Sequence, residues 1–360
     1  MKAAVCYEFG QPLVIDDVDL DSPEPGEVKV RLAATAICHS DIHLIDGEVG
    51  GEVPFVPGHE SAGTIVEVGE GVASVEPGDP VVVSLIRSCG ACFYCANRLP
   101  HLCEAKWPMD TKSHHKNKKG QELVRTSKVN GFAEYTLVDR SQIVKIPNEM
   151  PLDRAAMLAC GFITGFGAVV NYAKVESLAS VVVIGAGGVG LNSIQGASFL
   201  GAHPIIAVDI LDYKLERALD FGATHTVNAA KADDPIEAVK EITSGRGADY
   251  VFVTVGSHAA VRQGFEMSGK RGKTVIVGLA MGDLSSFQVS DLLFSERTLT
   301  GCFMGSTQLH LDIPRYVDLY LAGRIKLDEL ITARYSLDRI NEAIASVKNG
   351  EALRNVIVFD

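Results

Sequence analysis

The chain has 360 residues, 47% of them apolar, with a formal net charge of −12 and a pI near 5.3. This length exceeds the size at which a single hydrophobic core stops growing, so we expect two domains. The acidic composition argues against nucleic acid and anionic lipid as partners, because both need a basic face, and leaves small molecules as the expected partners.

The first twenty residues, MKAAVCYEFGQPLVIDDVDL, contain one Lys followed by acidic residues and lack the apolar core of a secretion signal. The sequence also has no uninterrupted apolar run of about 18 residues that could cross a bilayer. We therefore predict a soluble, cytoplasmic protein with no membrane partner. Thiols stay reduced in that compartment, where clustered cysteines more often bind metal than form disulfides.

Residues 1–150 are rich in strand patterns separated by Gly and Pro, which predicts a largely β region. Cys38 lies here in AICHSDIH and His59 in VPGHESAG, and Cys160 follows in LACGFITG. Three such ligands would leave a zinc ion one open position, as in catalytic zinc sites. Spacing alone leaves another interpretation open, because buried Cys often acts as a small hydrophobe and a single His is often a hydrogen-bonded core residue.

The segment CGACFYCANRLPHLC, residues 89–103, contains four of the chain's eight cysteines. Cys89, Cys92, Cys95 and Cys103 have short gaps that let a loop close tetrahedrally around zinc, with Zn–S bonds of about 2.3 Å. An iron–sulfur cluster shares the first two gaps, but it needs a shorter last gap and a Pro where this chain has Glu104. Unligated thiols are the remaining alternative. The closed shell predicts a structural zinc site that binds no substrate.

A strand, a Gly-rich turn and a helical pattern follow one another in SVVVIGAGGVGLNSIQGASFLGA, from Ser180 to Ala202. In this context the G-x-G-x-x-G pattern predicts a dinucleotide site, because glycine lets the backbone approach a pyrophosphate at the helix N-terminus. A second strand, IIAVD, ends in Asp209, whose carboxylate can accept both hydroxyls of an adenosine ribose and would repel a 2′-phosphate. The sequence therefore favours NAD over NADP. The glycines assigned to this site are Gly185, Gly187, Gly188 and Gly190.

Strands and helices continue to alternate after this motif. We predict helices near 211–221, 235–243 and 258–268, and strands at 249–255 and 273–278. Such alternation predicts a doubly wound parallel sheet with helices on both faces. We assign it to residues 163–302, so residues 1–162 and 303–360 must together build the other domain.

Several motifs together resemble the zinc-dependent alcohol dehydrogenases of the medium-chain dehydrogenase/reductase family. They are ICHSDIH, PGHE, the four-cysteine segment, CGFITGFGAVVNYAKV and VVIGAGGVG, in this order, and the similarity continues to LITARYSLDRINEAIASVKNGEALRNVIVF. The resemblance implies an α/β fold in which a Rossmann domain binds NAD. It also implies that a largely β, GroES-like catalytic domain holds both zinc sites, with two zinc ions per chain.

The resemblance also assigns roles to individual residues. It implies that Cys38, His59 and Cys160 bind the catalytic zinc, that Glu60 lies behind it and can transiently replace a ligand, and that Asp41 orients the zinc-bound histidine. Ser40 and His43 match the proton relay of the family. Matches to residues that contact the dinucleotide are His39, Thr164, Lys214 and Arg354, and matches to the substrate pocket are Leu85, Trp107, Leu279 and Phe303.

The function implied is that of an NAD-dependent zinc alcohol dehydrogenase, which converts an alcohol to an aldehyde or ketone. We expect medium-length or aromatic primary alcohols as substrates and a homodimer or homotetramer. The alternatives are a nicotinoprotein that never releases NAD(H), and a catalytically inactive NAD(H) sensor or zinc-bearing structural protein. A glutathione-dependent formaldehyde dehydrogenase is disfavoured, because Trp107 stands where those relatives carry an arginine, although Lys106 is adjacent.

Overall fold

A computed structural model describes residues 1–284 and 287–359. The chain forms two compact units, the first comprising Met1–Gly161 with Gln308–Asp360 and the second Phe162–Thr307. These bounds differ from the predicted domain bounds by one residue at the first junction and by five at the second. The turn around Gly305 belongs to the second unit because it packs tightly on Gly167, where an added Cβ would lie 2.6 Å from the Gly305 carbonyl oxygen.

The strands, numbered in chain order, are β1 Lys2–Val5, β2 Val14–Leu20, β3 Glu27–Ala36, β4 Glu60–Val68, β5 Pro80–Ser84, β6 His115–Asn117, β7 Tyr135–Asp139, β8 Ile143–Lys145, β9 Val181–Ile184, β10 Ile205–Asp209, β11 His225–Asn228, β12 Ala248–Val253, β13 Ser268–Ile276, β14 Thr298–Gly301, β15 Ile331–Tyr335 and β16 Arg354–Val358. The helices are α1 His39–Ile45, α2 Phe93–Ala96, α3 Leu152–Leu158, α4 Gly161–Gly167, α5 Gly188–Phe199, α6 Asp212–Asp220, α7 Pro235–Ile242, α8 His258–Met267, α9 Val289–Leu293, α10 Leu309–Leu321 and α11 Ile340–Lys348.

The second unit contains a parallel sheet of six strands in the order β11-β10-β9-β12-β13-β14. The sheet reverses its strand order between β9 and β12, which is the topology of dinucleotide-binding Rossmann sheets. The central strand β9, Val181–Ile184, is buried along its whole length, as expected where helices cover both faces. The predicted doubly wound parallel sheet is therefore confirmed.

Capping residues explain where two helices of this unit begin. The Asp234 carboxylate accepts a hydrogen bond from the backbone N–H of Ile236 at 2.8 Å, and Pro235 occupies the first helical position of α7. The Ser257 hydroxyl accepts one from the N–H of Ala260 at 3.3 Å and starts α8. Both arrangements satisfy N–H groups that a helix N-terminus leaves without partners.

The first unit is largely β, as the sequence predicted. Its main sheet has the order β15-β16-β3-β4-β5-β8, with β7 also paired to β3, and β1, β2 and β6 form a smaller sheet. Alternate residues of β3, including Val28, Val30 and Leu32, face an apolar core shared with β4 and β5. The antiparallel register places Glu60, the first residue of β4, opposite both Ala36 and Ser84.

None of the helices in the described part of the chain is both long and apolar enough to cross a membrane alone. The successive helical segments Leu152–Leu158 and Gly161–Ala173 meet the length and composition criteria only when they are counted together.

Candidate metal and cofactor sites

The strand register brings Cys38, His59 and Cys160 to one place. Cys38 lies two residues beyond Ala36 and His59 one residue before Glu60, so the pairing of Ala36 with Glu60 puts both at the same end of two neighbouring strands. The hydroxyl of Ser84, which lies opposite Glu60, donates to the carbonyl oxygen of Ala159 at 2.6 Å. That bond holds the residue before Cys160 against the same strand ends.

These three side chains and Glu60 form a buried cluster. One potential ligand atom from each residue lies within 4.8 Å of those of the others. The Ser40 hydroxyl is adjacent, 3.1 Å from the Cys38 sulfur and 3.4 Å from His59 Nε2. Two thiols and an imidazole nitrogen form a donor set that zinc prefers, so the residues fit a zinc ion.

Asp41 holds the histidine of this cluster in one orientation. Its Oδ1 lies 2.7 Å from His59 Nδ1 and also accepts a hydrogen bond from the N–H of Gly58, while Oδ2 accepts one from the N–H of Cys38. The carboxylate therefore fixes the Nδ1–H tautomer and leaves Nε2 facing the two thiols. This is how histidine ligands are commonly oriented in metal sites.

The three proposed ligands also shift one another's pKa values, because they are buried in close contact. The pKa of Cys38 lies well below its usual range, because Cys160 donates a hydrogen bond to its thiolate. His59 acts in the same direction, and burial acts in the opposite one. The same bond and burial raise the pKa of Cys160. Burial disfavours the charged form of His59, but the charge of Asp41 prevails and raises its pKa. A zinc ion bound here would displace protons from its ligand atoms.

Glu60 is buried beside the cluster and forms an ion pair with Arg354. Its Oε2 accepts hydrogen bonds from Arg354 Nη2 and, at 3.3 Å, from the N–H of Gly161. Its Oε1 lies 4.0 Å from His59 Nε2 and has no hydrogen-bond partner among the described residues. Burial raises the pKa of Glu60 to about 7, although Arg354 acts in the opposite direction. One carboxylate oxygen thus remains open toward the cluster.

The second cysteine cluster is formed by Cys89, Cys92, Cys95 and Cys103, whose sulfur atoms all lie within 4.8 Å of one another. A zinc tetrahedron with Zn–S bonds of about 2.3 Å has S–S edges of about 3.8 Å. The sulfurs of Cys92 and Cys103 are 3.8 Å apart. Backbone N–H groups of Ala91 and Cys92 donate to the Cys89 sulfur and lower its pKa. The geometry of the four sulfur atoms fits a zinc ion with four sulfur ligands.

The Gly-rich turn between β9 and α5 shows which glycines the fold requires. Gly185 has φ of +95°, and an added Cβ would lie 2.4 Å from Val255. A Cβ on Gly190 would lie 1.7 Å from the Gly185 carbonyl oxygen. A Cβ on Gly187 would instead meet nothing within 4 Å. Protein packing therefore explains Gly185 and Gly190, whereas space beside Gly187 fits the close approach of a dinucleotide at the start of α5, where Gly188 is the first residue.

Asp209 lies at the end of β10, next to this turn. Its Oδ2 accepts a hydrogen bond from the N–H of Ala186 at 2.7 Å, and its Oδ1 accepts bonds from the N–H groups of Ile210 and Leu211. These contacts fix the carboxylate beside the glycine turn. An acidic side chain at the end of the second strand is the feature that binds a ribose in Rossmann sheets.

Comparisons with known proteins agree with this geometry. Residues 24–148 match the alcohol dehydrogenase GroES-like domain, and residues 188–322 match the zinc-binding dehydrogenase domain. An NDMA-dependent alcohol dehydrogenase from Amycolatopsis methanolica is 39% identical over 99% of this chain and 98% of its own length. This chain belongs to the zinc-dependent alcohol dehydrogenases of the medium-chain dehydrogenase/reductase family.

Two solved structures of similar proteins extend the comparison. A zinc-binding-domain alcohol dehydrogenase from Burkholderia ambifaria has a TM-score of 0.94 and 34% identity, and the match covers 100% of this chain and 98% of that one. Benzyl alcohol dehydrogenase from Acinetobacter calcoaceticus has a TM-score of 0.92 and 33% identity, with 100% and 99% coverage. The chain is therefore an oxidoreductase that acts on alcohols, as its family membership implies.

The residues expected to move protons lie on α1 of this alcohol dehydrogenase. His43 is partly exposed, and its Nδ1 lies 2.5 Å from Oε2 of Glu48. The His39 and His43 rings are neighbours, with centroids 6.1 Å apart. Sequence analysis did not single out Glu48. An acidic residue shortly after the end of a helix that carries His43 is the signal that could have identified it.

The other residues predicted to contact the dinucleotide have different surroundings. Thr164 is buried on α4, and its hydroxyl donates to the Met304 sulfur at 3.6 Å. The Lys214 ammonium lies 5.9 Å from the centre of the Tyr213 ring on α6. Arg354 begins β16, where its guanidinium contacts Glu60. A phosphate contact for Arg354 stays a prediction.

The residues predicted to line the substrate pocket do not share one environment. Leu85 is partly buried against the β core of the first unit. Trp107 stacks against the Arg87 guanidinium, 4.8 Å from the ring centre, and lines a surface cavity of about 450 Å³ with Ser88, Cys89 and Arg140. Leu279 and Phe303 belong to the second unit and are exposed there by 44% and 54%. Their role in substrate binding stays a prediction.

Proposed function

We propose that this protein is an NAD-dependent alcohol dehydrogenase with a catalytic zinc held by Cys38, His59 and Cys160 and a structural zinc held by the four-cysteine cluster. The observation that carries this proposal is the buried cluster of two thiols, an imidazole and Glu60, with ligand atoms within 4.8 Å. Three protein ligands leave a zinc ion one position for an alcohol oxygen. Zinc would act there as a Lewis acid that lowers the pKa of the alcohol hydroxyl, and NAD would accept the hydride.

The chain's own groups would hold and move the proton. The Ser40 hydroxyl lies beside two of the proposed ligands, so it can accept the proton of an alcohol bound there. His43 lies one helical turn further along α1, and Glu48 accepts a hydrogen bond from its Nδ1. Because His43 is partly exposed, it can pass a proton to solvent. Glu60 lies beside the three proposed zinc ligands and is paired with Arg354. Its carboxylate would contribute to the total charge around the metal.

Replacing His43 with Gln should slow alcohol oxidation by about tenfold or more, because it removes a positioned acid–base group. The defect should be greatest at low pH, where bases in solution are scarce, and added buffer base should partly restore the rate. The measurement is kcat for alcohol oxidation between pH 6 and pH 10 in two buffer concentrations. His310→Gln, at an exposed histidine of α10, is the control. A pH profile identical to that of the unaltered enzyme would refute the relay role.

Asp209 is proposed to select NAD over NADP. Replacing it with Ser should raise the ratio of kcat/KM for NADP to that for NAD by at least about tenfold, because a negative charge beside the expected 2′-phosphate is removed. Ser can keep the hydrogen bond from the N–H of Ala186 in the glycine turn. The matched control is Glu216→Ser, at an exposed acidic residue of α6. An unchanged ratio would show that Asp209 does not contact the ribose.

We propose medium-length or aromatic primary alcohols as substrates. Apolar residues among the predicted pocket positions, and the similarity to a benzyl alcohol dehydrogenase, support this class. Each buried methylene contributes about 0.8 kcal/mol, so the four additional carbons of hexanol should raise kcat/KM over ethanol by up to about two orders of magnitude. Benzyl alcohol should gain similarly. Steady-state rates with ethanol, hexanol and benzyl alcohol test this, and ethanol as the best substrate would overturn it.

The second candidate is a nicotinoprotein, in which NAD(H) stays bound through the catalytic cycle. The similarity to an NDMA-dependent alcohol dehydrogenase favours testing it. The discriminating measurement compares turnover with free NAD and with NDMA as the oxidant, after gel filtration of the purified protein. Stoichiometric NAD(H) that remains bound, with turnover on NDMA alone, would establish the nicotinoprotein and exclude the exchanging enzyme.

A homo-oligomer is proposed from the surface of the second unit. β14 pairs only with β13 among the described strands, so it offers an open sheet edge. Exposed apolar side chains lie on both sides of β14 in the chain, most before it and Phe303 after it, which is typical of an interaction face; they are Leu279, Met281, Val289, Leu293, Phe294 and Phe303. Light scattering should show a dimer or tetramer, and Phe294→Glu should dissociate it. A monomeric unaltered protein would refute the proposal.

A further inference from the structure

The first unit contains a buried arginine, Arg87, whose guanidinium lacks hydrogen-bond acceptors among the described residues for two of its nitrogen atoms. The Arg87 side chain is 2% exposed and stacks on Trp107. Its Nη2 forms an ion pair with Asp110. Its Nε and Nη1 are buried, and neither has a hydrogen-bond partner in the described ranges, 1–284 and 287–359. A buried guanidinium that leaves N–H donors unsatisfied is costly, because these groups lose their hydration.

Arg125 also has two guanidinium nitrogen atoms without a hydrogen-bond acceptor among the described residues. Its Nη2 donates to the carbonyl oxygens of Lys128 and Leu137, at 2.8 Å each. Its Nε and Nη1 are also buried without an acceptor among the residues that the structure describes. Neither arginine therefore has these donors satisfied by oxygen or sulfur atoms of the described chain, including those of the four-cysteine cluster.

The two arginines are attached to the same part of the fold. The Lys128 carbonyl that accepts from Arg125 also accepts from Gln142 Nε2 at 3.2 Å. Gln142 Nε2 donates at 2.9 Å to the carbonyl oxygen of Ser84, three residues before Arg87. The N–H of Ser88 donates to the hydroxyl of Ser141 at 3.0 Å. Gln142 and its neighbour thus connect the backbones on which Arg87 and Arg125 lie.

Among the described residues, Asp110 pairs with Arg87, whereas the hydrogen bonds of Arg125 go only to backbone carbonyl oxygens. Burial and the charge of Arg87 lower the pKa of Arg125 to about 10. Burial and Arg87 also lower the pKa of Lys128. Of the carboxylates that act on Arg125, Glu27 contacts His114 at 3.2 Å, and Asp139 accepts a hydrogen bond from the N–H of Ser141. The third, Asp110, is 40% exposed and contacts Arg87 through Nη2 only.

We propose that Arg87 and Arg125 bind an oxyanion of the phosphate class, either free phosphate or the phosphate group of a small ester. Two guanidinium groups match the charge of a phosphate dianion, and its oxygen atoms can accept from the buried donors that have no partner among the described residues. Such a site lies outside the proposed zinc and dinucleotide sites and does not depend on the proposed reaction. Its ligand would fasten the segment that follows the four-cysteine cluster to β5 and β7.

Isothermal titration calorimetry of the purified full chain with inorganic phosphate, at constant ionic strength set by chloride, tests the proposal. We expect saturable binding of one phosphate per chain. Arg125→Gln should weaken it at least about tenfold, because a charge-assisted hydrogen bond is lost. Arg31→Gln, at an exposed arginine of β3, should leave it unchanged. A second arm uses glycerol 3-phosphate: equal binding would identify an open site for esters, and weaker binding a site for the free ion.

Asp110→Asn provides a test in the opposite direction. Removing this partly exposed carboxylate should tighten phosphate binding about threefold to tenfold, because a like charge near the ligand disappears. Glu149→Gln, at an exposed carboxylate of the same unit, should have no effect. If Arg125→Gln does not fold, phosphate binding by Asp110→Asn tests the proposal instead. The absence of saturable binding, which would mean that water alone satisfies the donors, overturns the proposal, and so does binding that neither Arg125→Gln nor Asp110→Asn alters.

Discussion

Cys160→Ser should abolish alcohol oxidation and remove about one of two zinc ions per chain. Serine has nearly the shape of cysteine but lacks the soft thiolate that zinc prefers, so the proposed catalytic site loses a ligand while its packing is kept. Loss of a Lewis acid costs several kcal/mol of transition-state stabilisation, which corresponds to about a thousandfold or more in kcat. The measurements are kcat and the metal content by plasma emission spectroscopy.

The fold should survive this change, because the four-cysteine cluster is untouched and Asp41, Glu60 and Arg354 keep their hydrogen bonds. Cys6→Ser is the matched control. Cys6 is also buried in the first unit, but it lies outside both clusters. That variant should keep both zinc ions and normal activity. Iron in the unaltered protein, a single zinc ion per chain, or full activity of Cys160→Ser would each contradict the two-site assignment.

The two cysteine clusters differ in how far sequence alone could predict them. The four cysteines of residues 89–103 are close in sequence, so any compact loop brings their sulfurs near one another, and the spacing was informative by itself. Cys38 and Cys160 are separated by most of the first unit. Their meeting depends on the register of β3, β4 and β5, which spacing does not encode. The residue types therefore left a core role open, and the family resemblance favoured the zinc site.

The doubly wound sheet was predictable because its signals are local. Asp234 and Pro235 mark the start of α7, and buried apolar runs such as Val181–Ile184 mark the strands. The unsatisfied donors of Arg87 and Arg125 had no such signal. An arginine in a loop normally indicates a solvated charge, and its burial becomes visible only when the loops around β5 and β7 are placed in space.

Asp209 and Gly187 show how much of a candidate dinucleotide site a motif can indicate. The sequence predicts that both lie beside a dinucleotide, since the order of strand, turn and helix is local. It did not reveal that the Asp209 carboxylate already accepts hydrogen bonds from Ala186, Ile210 and Leu211. Nor did it separate Gly187, whose Cβ position is open, from Gly190, whose packing allows no side chain. Those distinctions depend on atomic contacts that a motif does not contain.

Cys95→Ser should destabilise the protein while leaving the catalytic ligands intact. Metal binding at a closed four-cysteine site contributes folding free energy, because the loop cannot keep its geometry once a ligand is lost. Losing a structural metal is among the few single changes that cost about 3 to 5 kcal/mol. For a unit of 214 residues, the sum of 161 and 53, that loss lowers the melting temperature by about 6 to 20 °C.

Calorimetry and metal analysis of the same samples test this second prediction. Cys95→Ser should lose about one zinc ion and melt earlier, yet the protein that remains folded at low temperature should still oxidise alcohols. Cys160→Ser should show the reverse combination, with a melting temperature within about 5 °C of the unaltered protein but no turnover. These opposite effects on melting temperature and turnover would distinguish a structural site from a catalytic one. General misfolding would instead lower both stability and activity in both variants. Equal melting temperatures for Cys95→Ser and Cys6→Ser would show that the four cysteines do not hold a structural metal.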